Sequence, residues 1–431
     1  MNYLECLNYL AELGQELRGV KFDLHAIESI LAALEHPERR YPTAIVAGTN
    51  GKGSTAAILA SILKQAGYRT GLYTSPHLVR VNERIRVNGA EIADDDFAAC
   101  FTQVRLVVER LIDRGTLPHH PSFFEFLTAT GFLHFARSRL DVAVLEVGMG
   151  GRLDATNVTE PRVAVITNVA LDHVEFLGST HQAIAQEKAG VIKPLRPVIS
   201  CCEHPEAVEV VRRRSAELGA DLVELQQSIS NVRDLGGRFA FDLALNGDRF
   251  SGLAPPLRGR FQMKNAAAAV TAAWRLGREG FSIPPSAIQE GLRAASWPGR
   301  LEAVSDRPLV LVDGAHNPAA MRELAAFVRE NCQGRRLRLV YASMRDKSIA
   351  EISEILFPLA EEVYLTQPAL ARAARPEEIL AAARTKPARY VIEPDPVRAL
   401  RRACQASSPD DVVLATGSLF LVGALKQQLG Q

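Results

Sequence analysis

Apolar residues recur at helical spacing over residues 3–35 (Leu4, Leu7 and Leu10, then Leu24, Ile27, Ile30, Leu31 and Leu34), which predicts two helices ahead of the first strand. Residues 43–46 form a short apolar run that reads as a buried strand, and 56–63 continue with helical character. A second short strand fits 70–73. Residues 75–91 carry Arg80, Glu83, Arg84 and Arg86 with little apolar periodicity and read as a long surface loop. Helices fit 94–113 and 123–138. Strongly apolar strands fit 141–145 and 163–167, followed by a helix through 184–190 and a strand over 197–200. The pattern loosens from 221 to 250, where 239–245 followed by Asn246-Gly247-Asp248 reads as a β-hairpin. Helices return over 262–276 and 285–295.

Trp297-Pro298-Gly299-Arg300 breaks the helical pattern, and a fresh strand–helix rhythm follows with strands over 309–312, 337–341, 363–365 and 411–415. The reading is an α/β protein of two domains, 1–296 and 297–431. A length of 431 residues agrees, because single cores stop growing near about 250–300 residues.

Composition narrows the classes. Net charge is +1, from 50 basic and 49 acidic residues, so electrostatics make no case for nucleic acid or a membrane surface. Six cysteines are scattered with no C-x-x-C pair, which excludes a zinc knuckle or redox motif and suits reduced thiols in the cytoplasm. The N-terminus is acidic and mixed, and no apolar run approaches about 20 residues, so neither a signal peptide nor a membrane span is expected.

The chemistry concentrates at strand ends. Ala47-Gly48-Thr49-Asn50-Gly51-Lys52-Gly53-Ser54-Thr55 lies between the first strand and a helix. Strand, glycine-rich turn, lysine, hydroxyl and helix make a phosphate cradle: backbone N–H groups surround phosphate oxygens and the helix N-terminus adds partial positive charge. Lys52 would reach the outer phosphates and Ser54 would hold magnesium. The spacing departs from the general pattern, with Val46 where a glycine stands and Gly53 where the hydroxyl stands. Glu146 ends a buried strand and runs into Val147-Gly148-Met149-Gly150-Gly151, the position of the usual magnesium carboxylate. Ser75-Pro76-His77 also follows a strand directly. Taken singly, His173 and Lys188 read as an ordinary satisfied histidine and a solvated helix lysine, and the aromatic run Phe123-Phe124-Glu125-Phe126-Leu127 reads mostly as core. In the second domain the polar loops are 313–318, 343–347 and 416–418.

In order along the chain, Gly48 to Ser54, Ser75 to Leu78 with Asn82 to Ile85, Glu146 to Asn157, Thr167-Asn168 to His173, Glu187 to Gly190, Trp297 to Arg300, Asp313 to Pro318 and Thr416 to Ser418 resemble folylpolyglutamate synthases, in particular the bacterial bifunctional dihydrofolate synthase/folylpolyglutamate synthases. The resemblance covers essentially the whole chain, and its phosphate-loop spacing is the family's own form. It implies a P-loop ATPase-type N-terminal domain with a mostly parallel sheet and a smaller Rossmann-like C-terminal domain that binds the amino acid. It implies ATP at Asn50, Gly51, Lys52, Gly53 and Ser54, with Asn265, Arg300 and Asp313 also meeting the nucleotide. One magnesium ion would be held by Ser54, Ser75 and Glu146, and a second by Glu146, His173 and a carbamylated Lys188. Lys52, Glu146, His173, Lys188 and His316 would be catalytic. The pterin would lie near Ser122, Phe123, Phe124 and Glu125, and near Leu153, Asp154 and Ala155. The substrates implied are dihydropteroate, reduced folates and L-glutamate, acted on by a monomer.

Three other readings stay open at this stage: a folylpolyglutamate synthase without the first activity, a cell-wall amino-acid ligase of the Mur type, and a nucleotide-binding switch. The Mur type is disfavoured because only about 45 residues precede the phosphate loop, too few for a sugar-nucleotide domain. ADP release that requires both carboxylate and amine substrates would separate a ligase from a switch.

Overall fold

The computed structural model describes residues 1–13, 23–226 and 228–428. Two compact units result. The first comprises 1–230, 242–253 and 264–295, and the second 231–241, 254–263 and 296–431. The chain therefore divides after Ala295 as a whole, but two earlier segments also belong to the second unit. Residues 231–241 and 254–263 carry no composition break that would mark them off from their neighbours.

The first unit is built on an eight-stranded sheet: β1 (Thr43–Ala47), β2 (Thr70–Tyr73), β3 (Ile85–Val87), β4 (Ala90–Glu91), β5 (Val142–Glu146), β6 (Val163–Ile166), β7 (Val198–Ser200) and β8 (Leu222–Glu224). Its order is β4-β3-β2-β5-β1-β6-β7-β8. β2, β5, β1, β6, β7 and β8 run parallel, and β3 and β4 add antiparallel at one edge. β1 and β5 are buried along their whole length, as strands covered on both faces must be, which is why they read as unbroken apolar runs. β1 lies between β5 and β6, so the chain crosses over it between those strands. The crevice beyond its carboxyl end is a topological switch point, where open α/β sheets bind ligands.

Residues 75–91 are not a surface loop. They hold a short helical turn (Val81–Arg84), the strand β3 and the edge strand β4, with Asn82 and Arg84 almost fully buried. Charged residues hid this, because their burial depends on partners distant in sequence: the Tyr3 hydroxyl donates to Asn82 Oδ1, and Arg84 packs over Phe123. The helices expected over 3–35 are Tyr3–Glu12 and His25–Ala33; residues 14–22 between them lie outside the described residues.

β9 (Ile229–Asp234), β10 (Phe239–Leu245) and β11 (Asp248–Leu253) form a three-stranded sheet whose residues are divided between the units. Asn246 and Gly247 turn the β10–β11 hairpin with φ of 44° and 93°, the left-handed pair that a tight hairpin requires.

The second unit carries β12 (Glu302–Asp306), β13 (Leu309–Val312), β14 (Leu337–Tyr341), β15 (Glu362–Leu365), β16 (Tyr390–Ile392) and β17 (Val412–Thr416), in the order β12-β13-β17-β14-β15-β16. Only β12 is antiparallel. Among the described residues, no helix is long and apolar enough to cross a membrane.

Candidate active site

The loop after β1 is shaped by two glycines. Gly51 has φ +84° and opens helix Lys52–Gln65; Gly48 has φ +146°. A Cβ on Gly48 would stand 1.9 Å from Thr167 Oγ1, and one on Gly51 would stand 2.2 Å from Asn265 Oδ1. Neither position tolerates a side chain, so the loop presents backbone there. The strand-end residues after β6 hold the outside of the loop. Asn168 Oδ1 accepts from the N–H of Thr49 (3.2 Å) and of Asn50 (2.9 Å), and the Thr167 hydroxyl donates to Asn50 O (2.7 Å). Lys52 Nζ curls back and donates to Gly48 O and Thr49 O, both at 3.0 Å, which poises its charge over the loop. Gly53 and Ser54 are buried in the first turn of the helix, and Asn265 lies against the loop, buried. The bracing role of Thr167 and Asn168 depends on β6 being the neighbour of β1, which local sequence does not reveal.

Register places the acidic group. Val46 pairs with Glu146, so the carboxylate ends β5 beside the start of the phosphate loop. Glu146 is buried, and its Oε2 accepts from Ser75 N–H at 3.0 Å, bringing the two expected metal-binding positions together. His173 sits with φ 50° at the start of the short helix Val174–Leu177 and is partly buried.

Lys188 departs most from an ordinary helix lysine. It lies on helix His181–Ala189, is 3 % exposed, and has no hydrogen-bond or ion-pair partner among the described residues. Burial, then the nearby Lys52 charge, bring its pKa down to about 7, against the opposing pull of Asp172, Cys202 and Asp154. A substantial share of its amine is therefore unprotonated and nucleophilic near neutral pH.

The helix Phe123–Arg137 starts on a capping box. Ser122 N–H (2.8 Å) and Oγ–H (2.6 Å) both donate to Glu125 Oε2, and Glu125 N–H donates to Ser122 Oγ (3.3 Å). The polar groups of these two expected substrate residues thus build the helix end. Phe123 lies under the Arg84 guanidinium at 5.3 Å, and Arg84 Nε donates to His77 Nδ1 at 2.9 Å. Phe124 faces Gly148, where a Cβ would stand 2.6 Å from its ring, and neighbours Tyr73. An aromatic wall with a buried guanidinium suits a flat heterocycle. The aromatic run is legible in the sequence, whereas the burial of Arg84 depends on partners distant in sequence.

Asp154 is buried, and both its oxygens already serve its own loop. Oδ2 accepts from Met149 N–H (3.0 Å); Oδ1 accepts from Thr156 N–H (3.0 Å) and its hydroxyl (2.6 Å). Burial pushes its carboxyl pKa up, and these hydrogen bonds pull it back. Leu153 and Ala155 flank it, the first half-buried and the second buried. The loop is pinned to the end of the Lys188 helix by Asn157 Nδ2, which donates to Arg152 O and Gly190 O, each at 3.1 Å, and by an Arg152–Glu187 ion pair at 2.9 Å.

The expected residues of the second unit gather at the carboxyl end of β13. Asp313 is buried, and its oxygens accept from Leu301 N–H and Ala315 N–H, both at 2.8 Å. Burial pushes its carboxyl pKa up, with the Arg300 charge opposing. Asp313 thus braces the turn that carries Arg300. His316 Nδ1 lies 2.9 Å from Gly314 O, and Asn317 caps helix Pro318–Asn331. Gly417, at the end of β17, has φ +104°, and a Cβ there would stand 2.1 Å from Ala342 O.

With known proteins the agreement is extensive. Residues 46–273 match the Mur ligase middle domain, and residues 299–419 match the glutamate ligase domain of Mur ligases. The chain is 35% identical over 415 residues to the dihydrofolate synthase/folylpolyglutamate synthase of Bacillus subtilis, covering 95% of this chain and 96% of that protein. It superimposes on Escherichia coli FolC in complex with DHPP and ADP with a TM-score of 0.88 and 31% identity, over 100% of this chain and 98% of that one. It also superimposes on the bifunctional folylpolyglutamate synthase/dihydrofolate synthase of Yersinia pestis complexed with AMPPNP and Mn ion, with a TM-score of 0.87 and 30% identity, over 100% and 98%.

Proposed function

The chain belongs to the dihydrofolate synthase/folylpolyglutamate synthase family of Mur ligases, and from that premise we propose that it joins L-glutamate to dihydropteroate, giving dihydrofolate, and to reduced folates, extending a poly-γ-glutamate tail. It is an ATP-dependent amide-bond-forming ligase. The observation that carries the reading is the backbone-lined cradle at Gly48–Gly51, with Lys52 over it and Glu146 beside it at the switch point.

Joining a carboxylate to an amine in water is uphill, so the carboxylate must first be activated. Its oxygen attacks the γ-phosphorus of ATP, the bond to ADP breaks, and an acyl phosphate forms. The amine of L-glutamate then attacks the acyl carbon, loses a proton, and phosphate leaves. The loop N–H groups and the helix N-terminus orient the nucleotide phosphates, and Lys52 opposes the charge gathering on the transferred group. A divalent metal ion bound with the nucleotide supplies further charge neutralisation. Ser54, Ser75 and Glu146 are hard oxygen donors suited to magnesium, and His173 with Lys188 would complete a second site.

For Lys188 the reading is a carbamate. The neutral amine adds to CO₂, forming an N–C bond and releasing a proton. An ammonium that would repel a metal becomes an anionic oxygen ligand. A ¹³C carbamate resonance from ¹³CO₂, present in the wild type and absent in Lys188→Ala, is expected. A metal-loaded enzyme with unmodified Lys188, or full activity of Lys188→Ala without added small carboxylates, would overturn it.

Purified protein with ATP, magnesium and labelled L-glutamate, given each pterin in turn, tests the two activities. ADP release should require both the pterin and glutamate. If tetrahydrofolate is extended while dihydropteroate yields no dihydrofolate, only the polyglutamate synthase remains. The same reading places the enzyme in the cytoplasm as a monomer, and sedimentation of the purified chain checks the latter.

A further inference from the structure

Two helix starts converge at a point that the ligase reaction does not use. His181 opens helix His181–Ala189, and His204 caps helix Pro205–Glu217, in whose first turn Glu206 stands. The two imidazole rings are stacked, with centroids 3.7 Å apart and planes 8° from parallel. One donor atom from each of His181, His204 and Glu206 lies within 4.8 Å of the others. His204 Nδ1 is buried and has no hydrogen-bond partner. No hydrogen bond is made by the ring nitrogens of His181 among the described residues, and the Glu206 carboxylate accepts only a long one, from Gln182 N–H at 3.3 Å.

A buried nitrogen without a partner is costly and calls for an explanation. Core packing does not supply one, since both rings are partly exposed. Burial, then the adjacent His204, lower the His181 pKa, with Glu206 opposing. Two imidazoles and a carboxylate are the donor set of a three-ligand zinc site. Nitrogen donors also select zinc, nickel or copper over magnesium, which prefers oxygen.

We infer that His181, His204 and Glu206 bind one divalent transition-metal ion of the zinc class, at a site separate from the nucleotide-linked metal. Donor atoms around tetrahedral zinc stand roughly 3.3 Å apart, so binding turns one ring out of the parallel stack and draws the three groups together. The bound ion would tie the starts of two neighbouring helices. Lys188 follows His181 by seven residues on the same helix, roughly 10 Å along its axis. The ion would therefore steady the helix that carries Lys188 without touching its amine.

The test uses the full-length protein, stripped with a chelator and then held in excess magnesium with a non-hydrolysable ATP analogue to occupy the nucleotide centre. Zinc is titrated, and bound metal is counted by elemental analysis after dialysis. The wild type should retain one zinc ion more per chain than His204→Ala, and Glu206→Gln should bind it at least about tenfold more weakly, the scale reached even by outer-shell changes at metal sites. Lys188→Met should keep the ion. Cobalt in place of zinc should give visible d–d bands in the wild type that His204→Ala lacks. Equal zinc retention by the wild type and His204→Ala would overturn the inference, as would loss of the ion in Lys188→Met alone. Should His204→Ala fail to fold by circular dichroism, Glu206→Gln decides, and wild-type affinity in that variant also overturns it.

Discussion

The sheets of the two units both end buried parallel strands in polar loops, yet they handle charge in opposite ways. In the second unit the buried charges are already answered. Asp313 accepts two backbone N–H groups, and Asp411, just before β17, holds Arg338 at 2.7 Å and Arg336 at 3.1 Å. Burial pushes the Asp411 carboxyl up, but Ser408 and the two guanidinium groups hold it well below the usual carboxylate range. In the first unit Lys188 is buried with no hydrogen-bond or ion-pair partner among the described residues, and Lys52 Nζ donates to two carbonyls of the phosphate loop. A charge compensated within the protein belongs to the framework. A charge left for something else to compensate belongs to a site.

Lys52→Ala set against Arg338→Ala tests the contrast most sharply. Lys52→Ala should lower turnover by about 10²–10³-fold, the cost of losing one preorganised charge or donor, with little change in Tm. Arg338→Ala should do the reverse: it removes the buried one of the two guanidinium groups on Asp411, leaving Arg336 and the Ser408 N–H, and costs about 1.5–3 kcal/mol of stability, while the remaining folded enzyme keeps its turnover. Chemical denaturation and initial rates on both variants measure this. Similar profiles for the two would break the comparison.

Lys188 makes the next prediction, on pH. Its pKa is about 7 in the folded chain and about 10.4 when unfolded. Between those values the unfolded chain binds more protons, so stability of the metal-free, CO₂-free protein should rise as pH increases from about 7 to 10. Below pH 7 the full penalty applies, with a ceiling of about 5 kcal/mol. Lys188→Met should abolish that slope and be the more stable protein near pH 7. Urea titrations across the range check it, and a wild-type slope in Lys188→Met would show that Lys188 is not the titrating group.

That contrast also explains what could be read before the structure. Buried central strands such as β1, β5, β13 and β17 were legible because burial on both faces leaves an unbroken apolar run. The edge strands β4, β8, β12 and β16, and β3 beside β4, escaped, since they are only partly covered and their residues are mixed: β12 is Glu302-Ala303-Val304-Ser305-Asp306. The phosphate loop was legible because a backbone cradle demands glycine at fixed places. The burial of Lys188 was not, because a lysine on a helix reads as solvated until the helix end is seen packed against the neighbouring loop at Gly151 and Gly190. His181 and His204 are distant in sequence and meet only through helix packing.

Arg300 lies between the two behaviours and should show a mixed phenotype. Its charge opposes the upward push on the buried Asp313, so Arg300→Ala should lower stability by about 1 kcal/mol as well as lowering turnover strongly. Arg300→Lys should recover the stability, because the positive charge beside Asp313 is kept. Wild-type turnover in Arg300→Ala would remove the residue from the reaction.

The smallest effect is expected at Asp154, where framework and site meet. The family resemblance sets this residue beside the pterin, and a direct contact would make Asp154→Ala harm dihydropteroate ligation more than tetrahydrofolate ligation. The geometry gives the carboxylate a prior engagement, since both oxygens hold the loop from Met149 to Thr156. That loop also sets Gly148 against Phe124. Removing the carboxylate therefore removes a cap, at about 1–2 kcal/mol, and loosens a wall that either pterin would use. Asn is no rescue, because its amide NH₂ would face either the Met149 N–H or the Thr156 N–H and hydroxyl. The expected outcome for Asp154→Ala is thus a fall in kcat/KM that is similar for the two pterins, together with a lower Tm. A tenfold larger loss for dihydropteroate, about 1.4 kcal/mol of transition-state discrimination, would show that Asp154 acts on the substrate and would move it from the framework to the site.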